Sequence, residues 1–204
     1  AIEEVSAQVL PNNYTYEYSG LTKEENSAGS QTIIIFILSL VFVYFLLSAQ
    51  YESYILPFSI LLSLPVGIAG AIGFVSLFGL ENNIYFQIAL IMLIGLLSKN
   101  AILIVEFALQ RRKHGMSIME SAIDGAKARL RPILMTSFAF ILGLLPLALS
   151  SGIGAVGNRS IGMSAVGGML IGTIFGVFVI PALYVIFQSI QERFTGAPKE
   201  AIEK

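Results

Sequence analysis

IYFQIALIMLIGLLSKNAILIVEFAL, Ile84 to Leu109, is 26 residues long and holds only two charges, Lys99 and Glu106. About 20 mostly apolar residues carry an α-helix across the hydrocarbon core of a bilayer. Lipid offers backbone N–H and C=O groups no partners, so a spanning segment must satisfy them internally as a helix. Lys99 lies about 18 Å along such a helix from Arg111, near the membrane midplane. A lysine at that depth costs about 2.5–3.5 kcal/mol on insertion scales. That cost points to pairing inside a bundle or to movement of charge. No carboxylate of this sequence falls at the same depth to pair with Lys99.

Four further apolar spans surround this one: Thr32–Ser48, Ile55–Phe78, Ile133–Ser150 and Ile161–Phe187. The first is rich in β-branched residues, but its unbroken apolarity overrides that strand propensity. The connectors are Ala49–Tyr54, Gly79–Asn83, Gln110–Pro132 and Ser151–Ser160. The chain is 55% hydrophobic and 12% charged, against about 25% charged in a soluble domain. Its mean hydropathy is +0.80. The fold expected is an all-α membrane protein of five transmembrane helices over residues 31–190, with a tail at 191–204. Residues 1–30 have soluble character. Ile2, Val5 and Val9 suit a short helix ending before Pro11, and Tyr14, Tyr16 and Tyr18 alternate as in a strand. Gly20–Ser30 reads as a polar, turn-rich connector. The first residue is Ala1, inside an amphipathic stretch, which suits a piece of a longer polypeptide or a processed mature chain.

Lysine and arginine counts give the orientation. Arg111, Arg112, Lys113, Lys127, Arg129 and Arg131 follow the third span, and Arg193, Lys199 and Lys204 follow the fifth. The opposite side holds Lys23 and Arg159. The long connector and C-terminus are therefore expected in the cytoplasm and the N-terminal segment outside. Within that connector, Ser117 and Glu120 match a capping box. The apolar face of Ile118, Met119, Ala122, Ile123 and Ala126 suits a cytoplasmic surface helix near 117–128, either along the membrane or packed beneath the bundle.

Ser164, Gly168, Gly172 and Gly176 recur every four residues and suit close helix packing. Gly67/Ala71 and Ala69/Gly73 give the second span similar stripes. Pro65 and Pro181 lie inside spans and are candidate kinks. Lys99 and Glu106 are seven apart and share a helix face, as do Arg129 and Thr136. Asn100 adds an amide beside Lys99, and Ser137 a hydroxyl beside Thr136. These residues form a polar ladder from the cytoplasm toward the membrane centre, the physical core of a proton relay. Three of them also have local readings: Arg129 as positive-inside anchoring, Thr136 bonded to its own turn, and Glu106 snorkelling.

Cysteine is absent, and His114 and Asp124, the sole histidine and aspartate, lie in the cytoplasmic connector. Thiol chemistry, a multi-histidine metal site and an intramembrane protease built on Ser–His or paired Asp are thereby excluded from this chain alone. No cofactor and no nucleic-acid partner is expected. A non-transporting membrane scaffold built on small-residue packing accounts for the stripes but leaves Lys99 unexplained.

GLLSKNAILIVEFA, Gly95–Ala108, resembles the tenth transmembrane helix of resistance–nodulation–division (RND) drug efflux transporters. RLRPILMTSFAFILGLLPL, Arg129–Leu147, resembles the eleventh, and QYESYILPFSILLSLPVGIAGA, Gln50–Ala71, the junction and ninth. NNIYFQIALIMLIGL, Asn82–Leu96, leads into the tenth. The likeness is to the hydrophobe/amphiphile, acriflavine-resistance-pump-like branch, and scattered methionines agree with that branch over the heavy-metal one. It runs through nearly all of residues 1–190; Leu109–Lys127 resembles the family's surface helix more in position than in sequence. The resemblance implies helices eight to twelve of a twelve-helix unit, with residues 1–30 as a short α/β remnant of the periplasmic porter region. It implies a bacterial inner-membrane drug/H+ antiporter that exports amphiphilic or hydrophobic compounds. Its relay lysine, arginine and threonine fall on Lys99, Arg129 and Thr136, with Asn100 and Glu106 as supporting polar residues. The paired aspartates that would face Lys99 belong to an N-terminal half outside this chain. A homotrimer, a periplasmic adaptor and an outer-membrane channel are the implied partners.

Overall fold

A computed structural model describes residues 19–152 and 154–195. The expected helix at Ile2–Val9 and strand at Tyr14–Tyr18 lie outside the described residues. Six helices follow in order: α1 Leu21–Tyr51, α2 Leu56–Leu61, α3 Leu64–Leu77, α4 Ile84–Lys113, α5 Ile118–Ala148 and α6 Ala155–Thr195. They supply five spans long and apolar enough to cross a membrane, with α2 and α3 together making one of 22 residues. No strand is present among the described residues.

Three boundaries differ from the sequence reading. The connector expected at Gly20–Ser30 is helical from Leu21 onward; Lys, Glu and Ala there are good helix formers, and the polar composition misled. The second span is broken. Pro57 and Pro65 each sit in the first turn of their helices, α2 and α3. Pro65 has no N–H to give and its ring crowds the carbonyl four residues back. Leu62 and Ser63 therefore form a joint, where the Ser63 hydroxyl donates to the Ile60 carbonyl at 2.6 Å. The helix expected near 117–128 is not a separate element. It runs without interruption through Pro132 into the fourth span as one helix. Its start is the capping box: Ser117 Oγ accepts from the Glu120 N–H, and the Ser117 N–H donates to Glu120 Oε2 at 3.3 Å. Its inner face is seated against α4, where Gly125 lets the backbone of Ala108 approach closely. The helix α6 likewise runs straight through Pro181.

The helix α6 is the spine, packing against α2, α3, α4 and α5. Its closest neighbour is α3. A Cβ placed on Gly70 would meet Ile171 Cβ at 2.5 Å and the Gly167 carbonyl oxygen at 3.0 Å; one placed on Gly172 would meet the Gly67 Cα at 3.2 Å, and Leu97 Cδ2 of α4 at 2.6 Å. Gly67 and Gly168 lie in the same contact. Small residues permit this approach, and dispersion and packing drive association where lipid is as apolar as the side chains. Gly176 has room, with only Ile180 of its own helix within reach. Gly73 faces open space and Ala69 is exposed, so that stripe takes no part. Ser164 is buried and its hydroxyl donates within its own helix. By contrast α1 is peripheral over residues 34–51: Ile34, Leu38, Phe42 and Phe45 are exposed, as on a face turned to lipid, while Leu47 and Tyr51 near its C-terminal end are buried.

The apolar core divides along α4. One cluster gathers Leu47, Leu56, Ile60, Ile104, Val105, Ile133 and Tyr184 toward its C-terminal end. The other gathers Leu64, Val75, Phe86, Leu93, Leu97 and Met169 toward its N-terminal end. Ser98, Lys99 and Asn100 fall between the two. The candidate site is at this level.

Candidate functional site

The register of α4 against α5 follows from two contacts. Asn100 Nδ2 donates to Ser137 Oγ across a long 3.5 Å. Seven residues on, the Arg129 guanidinium carbon lies 3.6 Å over the Phe107 ring centroid. The two helices are therefore antiparallel, and Lys99 and Thr136 stand at one level. Each precedes a member of the facing Asn100–Ser137 pair by one residue, a step of 100° around a helix. On antiparallel helices such a step turns both side chains to the same side of the pair. Arg129, two turns before Thr136, shares that side. Lys99 and Thr136 are both exposed.

Each expected residue has a distinct environment. Among the described residues the ion pairs are Arg111–Asp124 and Arg112–Glu192, each at 2.8 Å, and Lys99 and Arg129 belong to neither. Arg129 is held by its cation–π contact, while its Nε is buried with no hydrogen-bond partner among the described residues. A buried, unanswered guanidinium N–H is costly. Thr136 donates to its own preceding turn, to the Pro132 carbonyl at 3.1 Å and the Ile133 carbonyl at 3.0 Å. Glu106 is half-buried and accepts from Gln110 Nε2 at 3.2 Å rather than from Lys99. Asn100 turns inward, buried between helices. Two cations and a hydroxyl thus share one open side of the bundle, and Glu106, on the same face of α4 as Lys99, forms an ion pair with neither cation. The chemistry that suits them is a carboxylate, which accepts from an ammonium and from a guanidinium N–H.

Two features were not anticipated from the sequence. Ser137 also accepts from Thr173 Oγ1 of α6, at 2.9 Å. Thr173 gives no signal in sequence beyond being a lone hydroxyl in a run of glycine and apolar residues. The second feature is where the C-terminal ends of α4 and α6 meet. Arg112 grips Glu192 with two bonds, Nε to Oε1 and Nη2 to Oε2, both 2.8 Å. Its Nη1 donates to the Met116 carbonyl at 2.7 Å, and Gln188 Nε2 supports Glu192 at 2.9 Å. This fork ties the ends of α4 and α6 to the α4–α5 turn. As one of three consecutive basic residues, Arg112 reads in sequence only as a topology signal.

Comparison with known proteins agrees with this architecture. The family described as the AcrB/AcrD/AcrF family matches residues 1–188. The chain is 42% identical over 189 residues to the toluene efflux pump membrane transporter TtgB of Pseudomonas putida, covering 93% of this chain and 18% of that protein. It is equally similar, 42% over 189 residues, to the multidrug resistance protein MdtF of Escherichia coli, covering 92% and 18%. With the solvent-resistant pump membrane transporter SrpB of Pseudomonas putida the identity is 42% over 205 residues, covering 98% and 19%. The chain thus spans about a fifth of the length of these relatives. Its five apolar spans, and a family match that covers nearly all of its sequence, lead to one assignment: the chain belongs to the AcrB/AcrD/AcrF family of RND efflux transporters and corresponds to a membrane portion of them.

Proposed function

We propose that this chain contributes the Lys99, Arg129 and Thr136 side of the proton-coupling site in an exporter of hydrophobic or amphiphilic compounds. The exporter works in the bacterial inner membrane, with the N-terminal segment of this chain periplasmic and its C-terminus cytoplasmic. The observation that carries the reading is the shared open side: Lys99 near the midplane and Arg129 two turns from that level, neither with an ion-pair partner among the described residues. Leaving a lysine there unanswered is expensive, so an anion from outside these helices is the missing element. The RND resemblance supplies a paired aspartate on a helix of the N-terminal half. The similarity to efflux pumps named for toluene, solvents and multiple drugs supports the substrate class.

The coupling follows from elementary electrostatics. An ammonium beside a carboxylate favours the charged carboxylate, and protonation removes the attraction. A proton reaching the aspartates therefore frees Lys99, and its departure recaptures it. Each unit charge crossing the field contributes about 2.3 kcal/mol per 100 mV. Making and breaking this pair biases one helix set against the other, the mode of repeat-built transporters. The family's trimer, adaptor and outer-membrane channel complete the export path. A passive scaffold uses the same α3–α6 glycine contact but has no need of Lys99. In inverted vesicles holding the full-length protein under an imposed pH gradient, Lys99→Ala is expected to abolish extrusion of a lipophilic fluorescent cation at normal protein levels. Extrusion at the unsubstituted rate refutes the coupling role.

A further inference from the structure

Most bonded hydroxyls in this bundle are spent locally. Ser39, Ser59, Ser189 and Thr136 each donate to a carbonyl three or four residues back in their own helix. That is the usual fate of a serine or threonine in an apolar helix. Thr173 departs from it: its hydroxyl reaches across to Ser137 on α5, which in turn meets Asn100 on α4. The three side chains are only 6%, 2% and 6% exposed in the order Thr173, Ser137, Asn100. They join α6, α5 and α4 at the level where the two apolar clusters part. Leaving one of these buried groups unbonded carries a desolvation cost, which favours this arrangement, with Asn100 inward.

We propose that Thr173 and Ser137 are positioning residues for Lys99, a role that rests on the coupling reading above. Lys99 adjoins Asn100, so pinning Asn100 between helices fixes the direction of the ammonium 100° away, on the side of Arg129 and Thr136. The lever is short. About 10° of rotation of α4 moves side-chain atoms about 6 Å from its axis by about 1 Å. A misplacement of that size costs on the order of 100-fold where charges must meet in register. Around Lys99 stand Glu106 on α4 and Arg129 on α5, and α6 carries none between Arg159 and Glu192. The link also borders a cleft of about 140 Å³ between α5 and α6, lined in part by Phe138 and Leu170. A valine in place of Thr173 keeps the shape and removes only the donor.

The test uses the full-length transporter in inverted vesicles, with extrusion of a lipophilic fluorescent cation followed across a series of pH values. Thr173→Val is expected to lower the coupled rate about tenfold or more. It is also expected to shift the half-maximal pH upward, because a carboxylate that pairs less well with its ammonium binds protons more readily. Ser137→Ala, which removes the acceptor without adding volume, shifts it the same way, and Thr173→Ser restores both rate and profile. An unmoved pH profile in Thr173→Val and Ser137→Ala overturns the positioning role, whatever the rate. So does a Thr173→Ser variant as impaired as the valine. Lys99→Ala runs alongside: if it still extrudes at the unsubstituted rate, the coupling reading itself falls and this role with it. If it is inactive while Thr173→Val keeps the unsubstituted profile, only the positioning role fails.

Discussion

The contact between α3 and α6 makes a sharp prediction about one glycine. In Gly70→Ala the new methyl would begin 2.5 Å from Ile171 Cβ and 3.0 Å from the Gly167 carbonyl oxygen. Carbon pairs are comfortable at about 3.5–4.0 Å, so a gap of about 1 Å must be found. Neither neighbour can swing aside, since one is backbone and the other is attached to it. The helices must part, and that motion loosens Gly67 and Gly168 in the same contact. Overpacking of this kind costs about 1–3 kcal/mol, partly offset by up to about 1 kcal/mol from the better helix propensity of alanine. The internal control is Gly73→Ala on the same helix, where a methyl meets open space, so the propensity gain stands alone and the change should be neutral to stabilising by up to about 1 kcal/mol. Unfolding of the full-length protein in mixed micelles, titrated with a denaturing detergent and followed by circular dichroism, ranks the pair. The reasoning is refuted if Gly70→Ala unfolds no earlier than Gly73→Ala.

Other substitutions probe the end of the bundle at the α4–α5 turn and the contact beneath Arg129. Arg112→Ala leaves Glu192 without its fork at a place where both side chains are less than a fifth exposed. Its cost should fall between an exposed and a buried pair, about 1–3 kcal/mol. A double-mutant cycle with Glu192→Ala should return a coupling energy of the same order, and additivity would show the pair to be inert. Ser117→Ala removes the capping hydroxyl of α5 and is expected to cost about 1 kcal/mol. Faster amide hydrogen exchange at residues 118–121, with the rest of α5 unchanged, is its signature. Phe107→Leu keeps an apolar side chain but withdraws the ring beneath Arg129. A loss of about 0.5–2 kcal/mol is expected, measurable in the same detergent titration, and the difference should vanish in an Arg129→Gln background.

The spans were readable because crossing a bilayer is a requirement on local composition and length. Ile84–Leu109 announces a helix whatever packs beside it, and the depth of Lys99 follows by counting residues. The capping box at Ser117 and the cost of Pro65 are equally local, and both are present in the folded chain. What misread was the extent of elements in polar sequence. Residues 21–30 and 118–131 continue apolar helices, because a helix already nucleated extends through ordinary polar residues at little cost.

Pairing across helices is another matter. Asn100, Ser137 and Thr173 stand 37 and 36 residues apart in the chain, and Arg112 and Glu192 stand 80 apart. A hydroxyl in an apolar helix can serve its own turn, as Thr136 does, or reach a neighbour, as Thr173 does. Which one it does depends on helix azimuth and register, and these are set by glycine contacts such as Gly70 against Gly167. The same holds for the side of the bundle that Lys99, Thr136 and Arg129 share. Composition and spacing place each of them at a depth in the membrane. Packing of α4, α5 and α6 gives them a direction, because rotation of a helix about its axis leaves every sequence pattern unchanged while moving every side chain.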